Sequence, residues 1–146
     1  LLLGERTAED LKIAVGTALK PESSMESVVR GRDLVTGLPR EVIMTDADVR
    51  EAISKSVRSV VDGVKEVIEA TPPELVSDIM HRGIVMVGGG AYLKGLDKLI
   101  ENETKIPTRV AEDPMTAVVR GCGIILEDLN GFRNVLLEKE EDVSPQ

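Results

Sequence analysis

The chain has 146 residues, 42% of them hydrophobic, with one Phe, one Tyr and no Trp, so any core must be built from Val, Ile, Leu, Met and Ala. A net charge of −8 without a basic stripe excludes a nucleic-acid-binding face. Cys122 and His81 stand alone, which excludes an internal disulfide and a metal or catalytic pair built on them, and no apolar run approaches the ~20 residues of a membrane-spanning helix.

Leu1-Leu2-Leu3 is too short for a signal-peptide core, and the chain opens in an apolar segment without an initiator Met, so it is expected to be a piece of a longer protein. Thr7-Ala8-Glu9-Asp10 has the form of a helix start, with Thr7 as N-cap. The helix is expected to run to about Ala18, with Leu11, Ala14, Val15 and Ala18 as one apolar stripe, until Pro21 stops it. Glu9 and Lys12, three apart, share its other face.

Residues 25–45 change character. Met25, Val28, Val29, Val35, Val42, Ile43 and Met44 are interrupted by Arg30-Gly31-Arg32-Asp33 and Thr36-Gly37-Leu38-Pro39. β-Branched runs broken by Gly and Pro predict a two-stranded ribbon, projecting as a small lobe. Thr45-Asp46-Ala47-Asp48 starts a second helix. Val49, Ile53, Val57, Val60, Val61, Val64, Val67 and Ile68 carry its apolar face to about Ala70. Thr71-Pro72-Pro73-Glu74 predicts a third helix, with Thr71 as cap, Pro72 at N1 and Glu74 completing a capping box. Gly83 ends it.

Ile84 to Val87 reads as a short strand running into Gly88-Gly89-Gly90 and a following helix that begins at Ala91-Tyr92-Leu93. Three glycines at such a junction remove every β-carbon, and the backbone can approach a ligand closely. The N–H groups of the next helix would face a phosphate or ribose-phosphate there, although a tight turn without ligand has the same pattern. Leu93, Leu96, Leu99 and Ile100 give a helix to about Glu103, and residues 107–110 a short strand. Asp113-Pro114 opens the last helix, with Ala117, Val118, Gly121, Ile124 and Ile125 inward. Gly121 and Gly123 imply close backbone contact, and Cys122 reads as a small packed residue. Beyond Glu127 the chain turns acidic, as in Glu138-Lys139-Glu140-Glu141-Asp142, and residues 128–146 are expected to be a disordered tail.

Helices alternating with strands predict an α/β lobe. Lys94 and Lys98 read as solvated, and Asp46 with Asp48 as capping groups rather than paired acids. Glu9 and Lys12 fit either a surface charge pair or contacts to a ribose and an adenine. The Arg30–Asp33 turn fits either a partner contact or a polar hairpin turn. No Ser/His/Asp or Cys/His set is present, and no Walker-type lysine follows the glycines. The residues alone therefore reach an α/β lobe with a candidate nucleotide-contacting turn.

Five stretches, in order, resemble the MreB family of bacterial actin-like proteins: Gly4 to Lys12, Arg30 to Pro39, Thr71 to Leu75, Gly88 to Asp97, and Ala111 to Pro114. Together they span residues 1–127. The resemblance implies an actin-like ATPase fold (ribonuclease H-like), of which this chain is the second lobe with a small α+β subdomain. Residues 1–20 would carry the adenosine-contacting helix, 21–70 subdomain IIB and 71–127 part of subdomain IIA. It implies ATP or ADP with Mg²⁺ as ligand, and places Glu9, Asp10, Leu11, Lys12, Gly88, Gly89, Gly90 and Ala91 on the nucleotide, with Glu9 near the ribose. The two Asp-Gly phosphate loops of such proteins, and with them the catalytic and Mg²⁺-holding residues, have no counterpart here, so no ATPase activity is expected of this chain alone.

The resemblance further implies head-to-tail filaments that guide cell-wall synthesis and keep cells rod-shaped. The intact parent would be cytoplasmic and membrane-associated, with cell-shape membrane proteins and the wall-synthesis machinery as partners. The membrane-inserting elements of the family belong to the other part of such proteins, so no direct membrane contact is expected of this one. A stand-alone binding or regulatory module without a nucleotide role is the alternative, and the sequence upstream of Leu1 would separate the two. Arg30 to Pro39 fits MreB better than other actin-like ATPases.

Overall fold

A computed structural model describes residues 1–136. Its elements run α1 (Glu5–Val15), β1 (Glu26–Arg32), β2 (Pro39–Thr45), α2 (Asp46–Ala70), α3 (Pro73–Arg82), β3 (Ile84–Met86), α4 (Leu96–Thr104), β4 (Thr108–Val110) and α5 (Ala117–Glu127). The acidic run from Glu138 to Asp142 lies outside the described residues. Residues 128–136, assigned to the tail in the sequence, contain a turn in which the Gly131 amide donates to Asp128 Oδ1 at 2.9 Å and a short 3-10 segment, Arg133–Val135.

β1 and β2 form the expected antiparallel ribbon, with Val29 opposite Val42 and Ser27 opposite Met44. The two-residue period puts Val29, Val42 and Met44 on one face, against Leu11 and Val15 of α1 and Val49 of α2. Val28 and Ile43 face the other way and are exposed. At the tip, Asp33 Oδ1 accepts the Val35 and Thr36 amides, while Oδ2 accepts Arg40 Nη1 at 2.8 Å. Leu34, Val35 and Leu38 stand out from this tip, Val35 at 95% exposure.

α2 is held at its start by a capping box, Thr45 with Asp48. Its valine stripe divides between two clusters. Val49 joins the ribbon and α1, while Val57 and Val61 pack on Leu96 and Ile100 of α4. Each such buried aliphatic side chain contributes roughly 1.5–3 kcal/mol. Lys65 of α2 also pairs with Glu103 of α4 at 2.5 Å. β3 and β4 are parallel neighbours, and α4 is the crossover between them. No described helix is long and apolar enough to cross a membrane.

Several helix ends differ from those expected. α1 starts at Glu5 with Gly4 as N-cap, so Thr7 lies inside the helix. It stops at Val15, because residues 17 and 18 turn away to bridge Lys94. Thr71 does not cap α3: its hydroxyl donates back to the Val67 carbonyl at 2.6 Å, closing α2, and Pro72 precedes α3. Asp113 does not cap α5. It sits at φ +48°, its carboxylate accepts the Thr116 hydroxyl, and the helix begins at Ala117.

α5 has no buried residue. Val118 and Ile124, expected inward, are exposed, as is Cys122. A β-carbon at Gly121 or Gly123 would meet nothing within 4 Å, so neither glycine serves a close backbone contact here.

Candidate functional site

The glycine turn is anchored from behind. Gly88 takes φ +79°, a conformation that favours glycine, and its amide donates to the Pro114 carbonyl at 2.7 Å. Gly89–Tyr92 then forms a single 3-10 turn, in which the Ala91 amide returns to the Gly88 carbonyl. The helix expected directly after the glycines is therefore only this turn. The α-helix α4 begins later, past Gly95 at φ +77°. The macrodipole argument weakens accordingly, and what faces outward is backbone. The Gly89 and Gly90 amides donate to no acceptor among the described residues.

Space around the turn is uneven. A β-carbon at Gly88 or Gly90 would meet nothing within 4 Å, whereas one at Gly89 would lie 3.2 Å from Met115 Sδ. Gly89 and Gly90 are exposed, and Ala91 is buried beneath them. The open side is a bare backbone surface with free amides, which suits close approach of a planar or phosphorylated ligand. Met115, unmarked in the sequence, forms its apolar edge.

On α1, Glu9, Asp10 and Lys12 are exposed, while Leu11 is buried against Val15, Val29 and Val49. The side chains α1 offers to a ligand are thus the charged ones, and the Leu11 side chain serves the core. The two regions are joined by backbone. The Ala18 amide donates to the Lys94 carbonyl at 2.8 Å, and Thr17 and Lys94 form an isolated parallel bridge. Lys94 precedes α4 and so does not share a helix with Lys98. Its ammonium is 3.4 Å from the Ala14 carbonyl, placing a cation at the C-terminal turn of α1. The lysine remains exposed, as expected, and gains this contact besides.

Asp46 and Asp48 also part company. Asp48 is the capping residue. Asp46 is buried and accepts from Ser24 Oγ at 2.9 Å, the Met25 amide at 3.1 Å and Arg50 Nη1 at 2.7 Å. The Arg50 guanidinium first, and the Met25 amide next, hold its carboxyl below the ordinary carboxylate range. Arg50 is only four residues on, but Met25 and Ser24 lie 21 and 22 residues away, so nothing local in the sequence marks Asp46 as buried. Among the described residues no cluster of three or more His, Cys, Asp or Glu could hold a metal ion.

A family model described as MreB/Mbl protein matches residues 1–134. The chain belongs to the MreB/Mbl family. It is 48% identical over 130 residues to the cell shape-determining protein Mbl of Bacillus subtilis, covering 89% of this chain and 39% of that protein. It is 45% identical over 132 residues to the cell shape-determining protein MreB of Escherichia coli K12, covering 89% of this chain and 38% of that one. The chain therefore spans about two fifths of the length of these MreB/Mbl relatives.

The crystal structure of MreB5 of Spiroplasma citri bound to ADP superposes with a TM-score of 0.83 at 34% identity, covering 91% of this chain and 40% of that one. A second structure of the same protein, bound to AMPPNP, superposes equally well. The fold is thus part of the actin-like MreB fold, as the sequence led us to expect.

Proposed function

We propose that this chain is the adenosine-holding side of an actin-like, nucleotide-binding filament protein that maintains cell shape. The observation that carries the reading is the glycine turn: open at Gly88 and Gly90, with unused amides at Gly89 and Gly90, in a fold shared at TM-score 0.83 with a protein crystallised with ADP and with AMPPNP. On this reading Gly88, Gly89, Gly90 and Ala91 carry the adenosine, and the exposed Glu9 and Lys12 approach the ribose and base from α1. When bound, ATP with Mg²⁺ would supply the phosphoryl chemistry. This chain's own residues bind and orient the adenosine end. Residues 21–70 correspond to subdomain IIB and 71–127 to part of IIA.

In the intact protein we assign head-to-tail self-association to the ribbon tip, where Leu34, Val35 and Leu38 are exposed beside Arg30 and Arg40. Organisation of wall synthesis at the cytoplasmic membrane, with cell-shape membrane proteins and the wall-synthesis machinery as partners, belongs to the same reading.

The test is calorimetric titration of ADP into the full-length protein and its Gly90→Val variant. A β-carbon at Gly90 meets nothing within 4 Å, so the fold should be kept while ADP weakens by at least about tenfold. Lys12→Ala and Glu9→Ala should also weaken ADP with no change in melting temperature. Unaltered ADP affinity in Gly90→Val would remove the turn from the site.

A further inference from the structure

The buried Asp46 network reaches the glycine turn by a continuous chain of bonds. Asp46 Oδ1 takes Ser24 Oγ and the Met25 amide at the base of the ribbon. Asp46 Oδ2 takes Arg50 Nη1 at 2.7 Å. The same nitrogen lies 3.2 Å from Oγ1 of Thr17, which is 2% exposed. Thr17 is bridged to Lys94, whose carbonyl accepts the Ala18 amide. Lys94 is four residues past Gly90, and the Leu93 amide returns to the Gly90 carbonyl at 3.1 Å.

We propose that Arg50 is a positioning residue: through Thr17 it fixes the segment leaving α1 against the segment leaving the glycine turn, and so sets the spacing of the two halves of the adenosine site. The functional consequence rests on the nucleotide reading above. The geometry gives three reasons for the assignment. First, Arg50 is the one side chain in this chain of bonds that touches both Asp46 and Thr17, so the ribbon base and the glycine-turn exit meet at its guanidinium. Second, one nitrogen, Arg50 Nη1, serves both partners, at 2.7 Å from Asp46 and 3.2 Å from Thr17, so a shift of one contact moves the other. Third, Thr17 has a single hydroxyl, and burial leaves it no water to fall back on. Movement of the ribbon, for example on contact with another subunit, would therefore be felt at the turn, and nucleotide at the turn would be felt at the ribbon, since such coupling is reciprocal.

The experiment uses the full-length protein with Thr17→Val, Arg50→Ala and, as a control, Arg58→Ala. Arg58 lines the same groove beside Thr17, about 400 Å³ in volume, but makes no bond to it. Two quantities are read: hydrogen exchange of the Ala18 amide without nucleotide, and ADP affinity. Thr17→Val keeps the side-chain shape, so it serves if Arg50→Ala proves too damaging to fold. Both network variants should speed Ala18 exchange and weaken ADP by about tenfold, and the double variant should be no worse than either single one. Arg58→Ala should change neither quantity.

Unchanged Ala18 exchange would overturn the link. Faster exchange with unchanged ADP affinity would overturn the positioning role while leaving the link in place. If the unaltered protein fails to bind ADP, the nucleotide reading falls and the positioning role with it, while exchange still reports whether the link exists.

Discussion

Gly83 and Pro107 lie so close that a β-carbon on Gly83 would sit 2.5 Å from the Pro107 carbonyl oxygen. That carbonyl also accepts the Ile84 amide at 2.8 Å. Gly83 is at φ +76°, closing α3 and delivering β3 beside β4 in one residue. Gly83→Ala adds both a left-handed strain and a backbone clash. The expected loss is about 1–3 kcal/mol of stability, read by urea denaturation. An unchanged midpoint would mean that β3 and β4 are not paired as described.

Ile100 is the most buried side chain of the α2–α4 cluster, at 2% exposure. Ile100→Ala should cost about 2–5 kcal/mol, since α2 and α4 are pinned by neighbours that collapse only partly into the space left. Ile100→Val should cost about 0.5–1.5 kcal/mol. The difference between the two, measured by denaturant melts, separates a packed cluster from a loose one.

The ribbon tip should be acid-sensitive. Asp33 is held down to about 2 from its ordinary 3.8, first by the Arg40 guanidinium and then by the Thr36 and Val35 amides. A carboxylate whose folded value is depressed contributes stability that is present above its unfolded value and lost as pH falls through the folded one. The turn should therefore hold above about pH 4 and open between about 4 and 2. Titration of the Asp33 carboxyl by NMR, in the native protein and in Arg40→Ala, checks this. The variant should titrate closer to 3.8. An identical titration in both would show that Arg40 does not hold the turn.

α5 presents Val118, Val119, Ile124 and Leu126 to solvent, each more than half exposed. Val118, Val119 and Leu126 fall within about 100° of one another around the helix, and exposed apolar surface of this kind marks a contact surface. In the 146-residue chain, Val118→Ser and Leu126→Ser should move stability by no more than about 0.5 kcal/mol while reducing self-association in sedimentation velocity. A loss of several kcal/mol would mean that the face is already packed.

The elements with a strong local signature were legible from the residues. The valine spacing of α2, the Thr45–Asp48 cap and the Gly37-Leu38-Pro39 turn of the ribbon all depend on neighbours within four residues, and periodicity and capping chemistry encode such neighbours directly. The glycine turn was legible for the same reason: three residues without β-carbons state what the backbone there is free to do. The five ordered stretches mark the family without reference to the fold.

What the tertiary structure decided is which of several competent local groups gets used. Thr71 and Asp113 could each cap a helix, yet one closes the helix behind it and the other takes a left-handed turn so that Pro114 can hold Gly88. Asp46 and Asp48 are equivalent in sequence, but only Asp46 is buried against Ser24, Met25 and Arg50. Lys94 reads as any surface lysine until folding sets it 3.4 Å from the Ala14 carbonyl, 80 residues earlier. A buried hydrogen bond is worth making only where both partners lose water together. For Asp46 that condition is met by the packing of Ser24 and Met25, 22 and 21 residues away, so no local window of sequence contains it.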